Sequence, residues 1–230
     1  MNPISGILRA ASALSFYGRR QEVTANNLAN TNTAGFKADR IIAARPSDLT
    51  HPVPVEETDL SQGSLRITER PLDLALEGPG FLVVETGGGE RLVRGGSLRL
   101  DGAGQLVAEE GVPVLGEQGA IVILGSGVTI DAEGAVSSDG RFIDRLRLVR
   151  PGEGAVLMKE GAGRFRLDRG ELGGAPDVRV RQGQLEEANL DAVSGMVSLV
   201  EIQRAYGAAA TALKTMDSVL GAVTTEVARV

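Results

Sequence analysis

The stretch 191–227, DAVSGMVSLVEIQRAYGAAATALKTMDSVLGAVTTEV, decides the fold. In it Leu199, Ile202, Tyr206, Ala209, Leu213, Met216, Leu220 and Val223 recur at alternating spacings of three and four, the heptad pattern of a helix with one apolar seam. Glu201, Gln203, Arg204, Lys214, Asp217 and Ser218 fall between those positions, so the other faces can meet water or polar partners. The spacing predicts a helix from Asp191 to Val227, roughly 55 Å long at about 1.5 Å per residue. A long helix with one apolar seam is only marginally stable until the seam is covered. The cover must come from elsewhere in the chain or from neighbouring chains.

A softer stripe opens the sequence, with Ile4, Ile7, Ala11 and Leu14 continuing through Gly18 and Gln21 to Ala25 and Leu28. Its small residues permit close helix approach, and a helix is expected over Ser5 to Ala29. It ends in Asn30-Thr31-Asn32-Thr33-Ala34-Gly35, whose side chains favour turns and local main-chain bonding over further helix. The stretch Pro46 to Pro54 is prolyl and polar, and each residue before a proline is pushed towards extended geometry. It reads as a linker.

From Asp59 to Arg181 the period changes to two. Leu72, Leu74 and Leu76, then Phe81 and Val83, Leu98 and Leu100, Val112 and Val114, Ile121 and Ile123, Val128 and Ile130, and Leu146 and Leu148 form short alternating runs, as half-buried strands do. Between them, Asp101-Gly102-Ala103-Gly104, Asp131-Ala132-Glu133-Gly134 and Asp139-Gly140 carry residues that tolerate positive φ and close hairpins. The expected fold is therefore mixed α and β: N- and C-terminal helices pairing as an α-helical coiled-coil arm, flanking a central all-β antiparallel domain. The expected boundaries are 1–45 for the N-terminal arm and motif, 46–58 for the linker, 59–182 for the β domain and 183–230 for the C-terminal arm.

Composition narrows the function classes. Aromatic residues make up only 3% of the chain and Trp is absent, so a large core must be aliphatic, while 31 Gly suit many turns. A formal net charge of −6 without a long basic run argues against a phosphate-backbone surface, so no nucleic acid partner is expected. With no Cys there is no disulfide, thiolate metal site or Cys nucleophile. His51, the single histidine, sits in the prolyl stretch and offers little material for a catalytic relay or a multi-His metal site. Asp73, Glu77, Asp101, Asp131 and Asp139 follow turn positions and lack the spacing of a calcium loop. Gly78-Pro79-Gly80 and Gly87-Gly88-Gly89 fail the phosphate-loop patterns. No catalytic residue, cofactor, metal or small-molecule substrate is expected. The first twenty residues lack the layout of a cleaved signal peptide, and no run of about eighteen apolar residues offers a membrane span.

Ala25-Asn26-Asn27-Leu28-Ala29-Asn30, followed by Thr33-Ala34-Gly35-Phe36-Lys37, resembles the N-terminal motif of the flagellar basal-body rod and hook proteins. Leu185 to Val193, Met196-Val197 and Glu201-Ile202-Gln203-Arg204-Ala205-Tyr206 resemble the family's C-terminal motif. Asp59 to Gly63, Pro71 to Leu76 and Gly104 to Val107 are similar to segments of its two longer rod members, so the resemblance spans nearly the whole chain. Two places depart from it. Leu92-Val93-Arg94-Gly95-Gly96-Ser97-Leu98 stands for Tyr-Thr-Arg-x-Gly-x-Phe, and Gly78-Pro79-Gly80-Phe81-Leu82 for Gly-Asp-Gly-Phe-Phe, which trades aromatics for aliphatics.

The resemblance implies a non-catalytic axial subunit, exported unfolded through the flagellar type III apparatus without a cleaved signal. It would polymerise with itself and with other rod proteins into a periplasm-spanning tube that transmits torque. The segment from Ala120 to Arg150 and Gly163 to Leu167 look more like the proximal-rod members, whereas Glu201 to Tyr206 look more like the distal-rod ones. By the same resemblance, joined at the C-terminal end by the apolar seam, the assembly residues are Asn26, Asn27, Leu28, Asn30, Gly35 and Phe36 at one end, and Asn189, Met196, Leu199, Ile202, Gln203, Arg204, Tyr206, Leu213, Met216 and Leu220 at the other. Two bland readings stand beside these. The Asn cluster can be a helix end and turn, and Tyr206 can be a core residue of the seam. An envelope enzyme or carbohydrate-binding β domain with oligomerising arms is the alternative class.

Overall fold

The computed structural model describes residues 3–44, 53–125 and 127–227. Residues 46–52 of the expected linker, with His51, lie outside the described residues, as do the side chains of Ile4 and Val223. Helix α1 spans Pro3–Ala29 and α2 spans Ala192–Val227, each within two residues of its expected start. Pro3 opens α1 where no intrahelical N–H is needed. Asp191 caps α2: its Oδ2 accepts the Ser194 backbone N–H at 2.8 Å, and that bond holds the carboxyl below the ordinary carboxylate range. At the end of α1 the Asn30 N–H donates to the carbonyls of Asn26 and Asn27, and the Thr31 hydroxyl donates to Leu28 O at 2.9 Å. Orphan carbonyls of the last turn are thereby satisfied.

The chain divides into two compact units, one of residues 1–31, 38–59 and 190–230, the other of residues 32–37 and 60–189. In the first, α1 and α2 pack against each other. A Cβ built on Gly6 would meet Met216 Sδ at 3.2 Å, one on Gly18 would meet Tyr206 Cε2 at 3.8 Å, and one on Gly195 would meet Leu28 Cδ1 at 3.7 Å. Numbers rise along one helix as they fall along the other, so the pair is antiparallel. Glycines on both sides let the larger side chains lie across the facing helix.

The strands Asp39–Ala44 and Val53–Thr58 pair antiparallel, Asp39 opposite Thr58 and Ala44 opposite Val53, and the hairpin lies against α1. Val53–Thr58 was expected at the end of a linker and is instead a strand. Pro54 favours extended geometry at Val53 before it, and a two-stranded edge position tolerates its missing N–H.

The second unit is antiparallel throughout its described strand pairs. A six-stranded sheet runs in the order Val156–Lys159, Arg164–Arg169, Gly89–Val93, Phe81–Thr86, Leu148–Pro151, Leu172–Gly174. A three-stranded sheet places Asp73–Glu77 between Arg179–Gln182 and Gly95–Ser97. Phe81–Thr86 is buried on both faces: Leu82 and Val84 enter one apolar cluster with Leu74, Leu76, Leu106 and Leu146, whereas Phe81 and Val83 enter another with Leu92, Leu115 and Phe165. The two phenyl rings meet edge to face, 5.6 Å between centroids. Asp101 and Asp131 close the turns expected of them, each Oδ1 accepting two backbone N–H groups, from Ala103 and Gln105 and from Glu133 and Ala135.

Residues 183–189, expected at the root of the C-terminal arm, belong to this β unit. Gln184–Glu186 pairs with Leu65–Ile67, and the helix starts only at Ala192. The reason is burial: Leu185, Glu186 and Ala188 are all covered.

Candidate assembly site

The N-terminal motif divides between the two units. Asn27 belongs to the helical one, and its carboxamide brackets the start of the hairpin: Nδ2 donates to Asp39 O at 2.7 Å while Oδ1 accepts the Asp39 N–H at 3.0 Å. The side chain thus acts as a short piece of strand edge. Asp39 is fixed further by the Thr58 hydroxyl, 2.6 Å from its Oδ1. Asn30 Nδ2 donates to Asn26 O at 2.9 Å, which is helix-end chemistry, and Asn26 itself is exposed. Leu28 faces Gly195 of α2.

Gly35 and Phe36 belong to the β unit and are buried. Gly35 has φ +67°, a conformation that suits glycine, and its N–H donates to Glu186 O at 2.7 Å. The ammonium of Lys159 stands 4.3 Å from the centre of the Phe36 ring. Asn189 joins the same place, its N–H donating to Phe36 O and its Nδ2 to Ser61 O at 3.2 Å.

Beside them lies a group that sequence reasoning did not single out. Lys37, Arg94 and Glu186 are 0%, 3% and 2% exposed. Lys37 Nζ donates to Glu186 Oε1 at 2.5 Å and to Ser61 O at 2.6 Å, and Arg94 Nε donates to Glu186 Oε2 at 2.9 Å. The remaining guanidinium N–H groups reach the carbonyls of Leu76, Gly78 and Gly80. Two cations share one carboxylate, and carbonyl oxygens satisfy the remainder. Desolvated charges need such complete pairing to be tolerated. The available signal was positional, since Lys37 and Arg94 each directly follow an apolar residue of a run, Phe36 and Val93, but surface strands alternate in the same way.

On α2, Ile202 is the buried centre of the seam at 2% exposed, with Leu199, Leu213 and Leu220 half-buried. Tyr206 is 41% exposed and Met216 37%, so neither is a core residue. Each lies at the flank of the helix pair, over Gly18 and Gly6, because one slim helix covers less width than the heptad stripe presents. Met196, Gln203 and Arg204 are exposed. The face of α2 turned away from Ile202 is apolar at one end, with Val193, Val197 and Val200 all exposed. Further along it Thr211, Thr215 and Ser218 turn their hydroxyls back onto the carbonyls of Gly207, Thr211 and Thr215. Between the two ends Arg204 lies on the same face, exposed, as a charge that any partner surface would have to meet. No helix among the described residues is long and apolar enough to cross a membrane.

The terminal helices pack together, and the motif side chains are spent on holding chain segments in place. Residues 7–37 match the family described as flagella basal body rod protein, 75–138 the flagellar hook protein FlgE/F/G D1 domain, and 181–226 the flagellar basal body rod FlgEFG protein C-terminal family. Over 219 residues the chain is 33% identical to the flagellar basal-body rod protein FlgF of Caulobacter vibrioides, covering 87% of each. It is 34% identical to FlgF of Salmonella typhimurium, covering 87% of this chain and 89% of the relative. It is also 30% identical to the flagellar basal-body rod protein FlgG of Borreliella burgdorferi, covering 92% and 94%. The chain belongs to the flagellar basal-body rod protein family, whose members are structural proteins and not enzymes. This membership sets aside the envelope-enzyme reading.

Proposed function

We propose that the chain is a FlgF-type structural subunit of the bacterial flagellar basal-body rod, joining copies of itself and other rod proteins through its terminal helices. The observation that carries this is the partial cover on α2: α1 shields Ile202 and its neighbours, while Val193, Met196, Val197 and Val200 remain exposed. An apolar helix face left uncovered in a single chain marks a contact with other chains. The helix pair then acts as a coiled-coil arm, its second stripe meeting helices of neighbouring subunits. Repeated contacts that do not close on themselves generate a helical filament. In this reading Asn26, Asn27, Leu28 and Asn30 serve assembly from the end of α1, Gly35, Phe36 and Asn189 from the β unit, and Met196, Gln203, Arg204, Tyr206 and Met216 border the inter-subunit surface. Export through the type III apparatus without a cleaved signal, a place in the periplasm-spanning tube and transmission of torque complete the reading.

A clean deletion tests it. The mutant is expected to lack flagella and to carry a truncated basal body in electron micrographs, and normal swimming would sink the assignment. Distal-rod placement is the second reading, favoured by the Glu201 to Tyr206 block and by the FlgG relative. The length of the rod remnant in the deletion strain separates the two.

A further inference from the structure

The chain passes between its two units at 31/32, 37/38, 59/60 and 189/190. Within the β unit, every run that begins or ends at one of these points is fastened to the same buried carboxylate or to its neighbours. Gly35 N–H and Lys37 Nζ bind Glu186 through its main-chain and side-chain oxygens. Ser61 O accepts from Lys37, and Gly63 N–H donates to Glu186 Oε1 at 2.9 Å. Glu187 N–H donates to Ser64 O at 2.8 Å, and Asn189 N–H to Phe36 O. The packing is close, for a Cβ on Gly63 would lie 2.1 Å from Glu187 O.

Two features separate this group from the rest of the unit. The apolar residues these runs bury, Phe36, Leu185 and Ala188, belong to neither apolar cluster, and Arg94 touches one of them only at its rim, over the Phe81 ring. The attachment also joins positions far apart in sequence, with Lys37 and Glu186 separated by 149 positions. Contacts across so long a loop carry a large closure cost and form after local ones. Their strength resides in one charge, because a buried pair that loses its anion leaves its cations uncompensated.

We propose that residues 35–37, 61–64 and 184–189 form a clasp, closed by Glu186 between Lys37 and Arg94, which opens as one step while both apolar clusters of the β unit stay folded. Opening frees together the runs by which the chain enters and leaves the unit. This goes beyond the rod assignment and holds for the isolated chain whichever rod position is correct.

Native-state hydrogen exchange on the full chain tests the clasp. In E186Q the amides of Gly35, Gly63, Glu187 and Asn189 are expected to exchange faster by a common factor of about 100 or more. Val83, bonded to Arg147 O, and Leu106, bonded to Ile121 O, are expected to change by less than about threefold. Equal acceleration of all six amides overturns the proposal, as does no change at the clasp or a different factor at each clasp amide. The milder K37M, which keeps the Arg94–Glu186 pair, is expected to give the same pattern at lower amplitude. Failure of both variants to fold also overturns it, because the clusters are then not independent of the clasp.

Discussion

Asn27 does the work of a strand at the root of the helical unit. In Asn27→Ala the N–H and carbonyl of Asp39 lose their two bonds to the carboxamide together, a loss of about 1–3 kcal/mol for partly buried groups. Faster exchange of the Asp39 amide and a lower urea midpoint are the expected readouts. Asp73 shows a different balance. Burial pushes its carboxyl up, but hydrogen bonds from Ser97 and Thr68, with the charge and hydrogen bond of Arg70, outweigh it and hold the group below the ordinary range. A depressed folded pKa contributes stability that is present above the unfolded value of about 3.9 and lost as pH falls through the folded value. The wild-type advantage over Asp73→Asn is therefore expected at neutral pH and vanishes in strongly acid solution. Urea midpoints measured across pH 2–7 check this, and parallel curves for the two proteins would contradict it.

Legibility in the sequence differs by element for physical reasons. Both helices announce themselves because a one-sided stripe repeats over many turns, and the Asp turns do because their side chains act locally. The strand Phe81–Thr86 is read as half-buried from Phe81 and Val83, yet it is buried on both faces, since alternation cannot report a second sheet face packed on its own core. Val53–Thr58 hides behind Pro54. Lys37, Arg94 and Glu186 are illegible as a group because each looks like an ordinary surface charge until chain positions 149 apart are brought together. The width of the α2 seam is overestimated for Tyr206 and Met216, since periodicity gives direction on a helix but not how much of a stripe one partner covers. Two substitutions probe that partner. Ile202→Ala removes the buried centre and is expected to cost about 2–4 kcal/mol. Gly18→Ala places a methyl 3.8 Å from Tyr206 Cε2, an ordinary contact, while removing a helix-interior glycine, so it is expected to stabilise by up to about 1 kcal/mol. Thermal unfolding followed by helical circular dichroism reads both, and opposite signs are required.

At the scale of the whole molecule, the outer face of α2 is too small to hold two chains together alone. From Val193 to Ser218 it runs about 38 Å, and a strip about 10 Å wide covers roughly 400 Å², against about 800 Å² per partner in a stable pairwise interface. A dilute solution is therefore expected to contain monomer, with sedimentation showing no dimer at micromolar concentration. Association becomes favourable only where each helix meets several neighbours at once, as in a tube, so the contact favours polymer over dimer. The double variant Val197→Glu with Val200→Glu isolates this property. Both side chains are exposed in the single chain, so its thermal midpoint is expected to stay within the small range typical of surface changes. Burying two new carboxylates between subunits carries a penalty of several kcal/mol at every repeat, and a deletion strain expressing the variant is expected not to swim. A variant that unfolds in isolation would place these valines in the monomer's own core. One that restores swimming would show that this face stays wet in the assembled rod, and the contact between subunits would then have to be sought along the flank marked by Tyr206 and Met216.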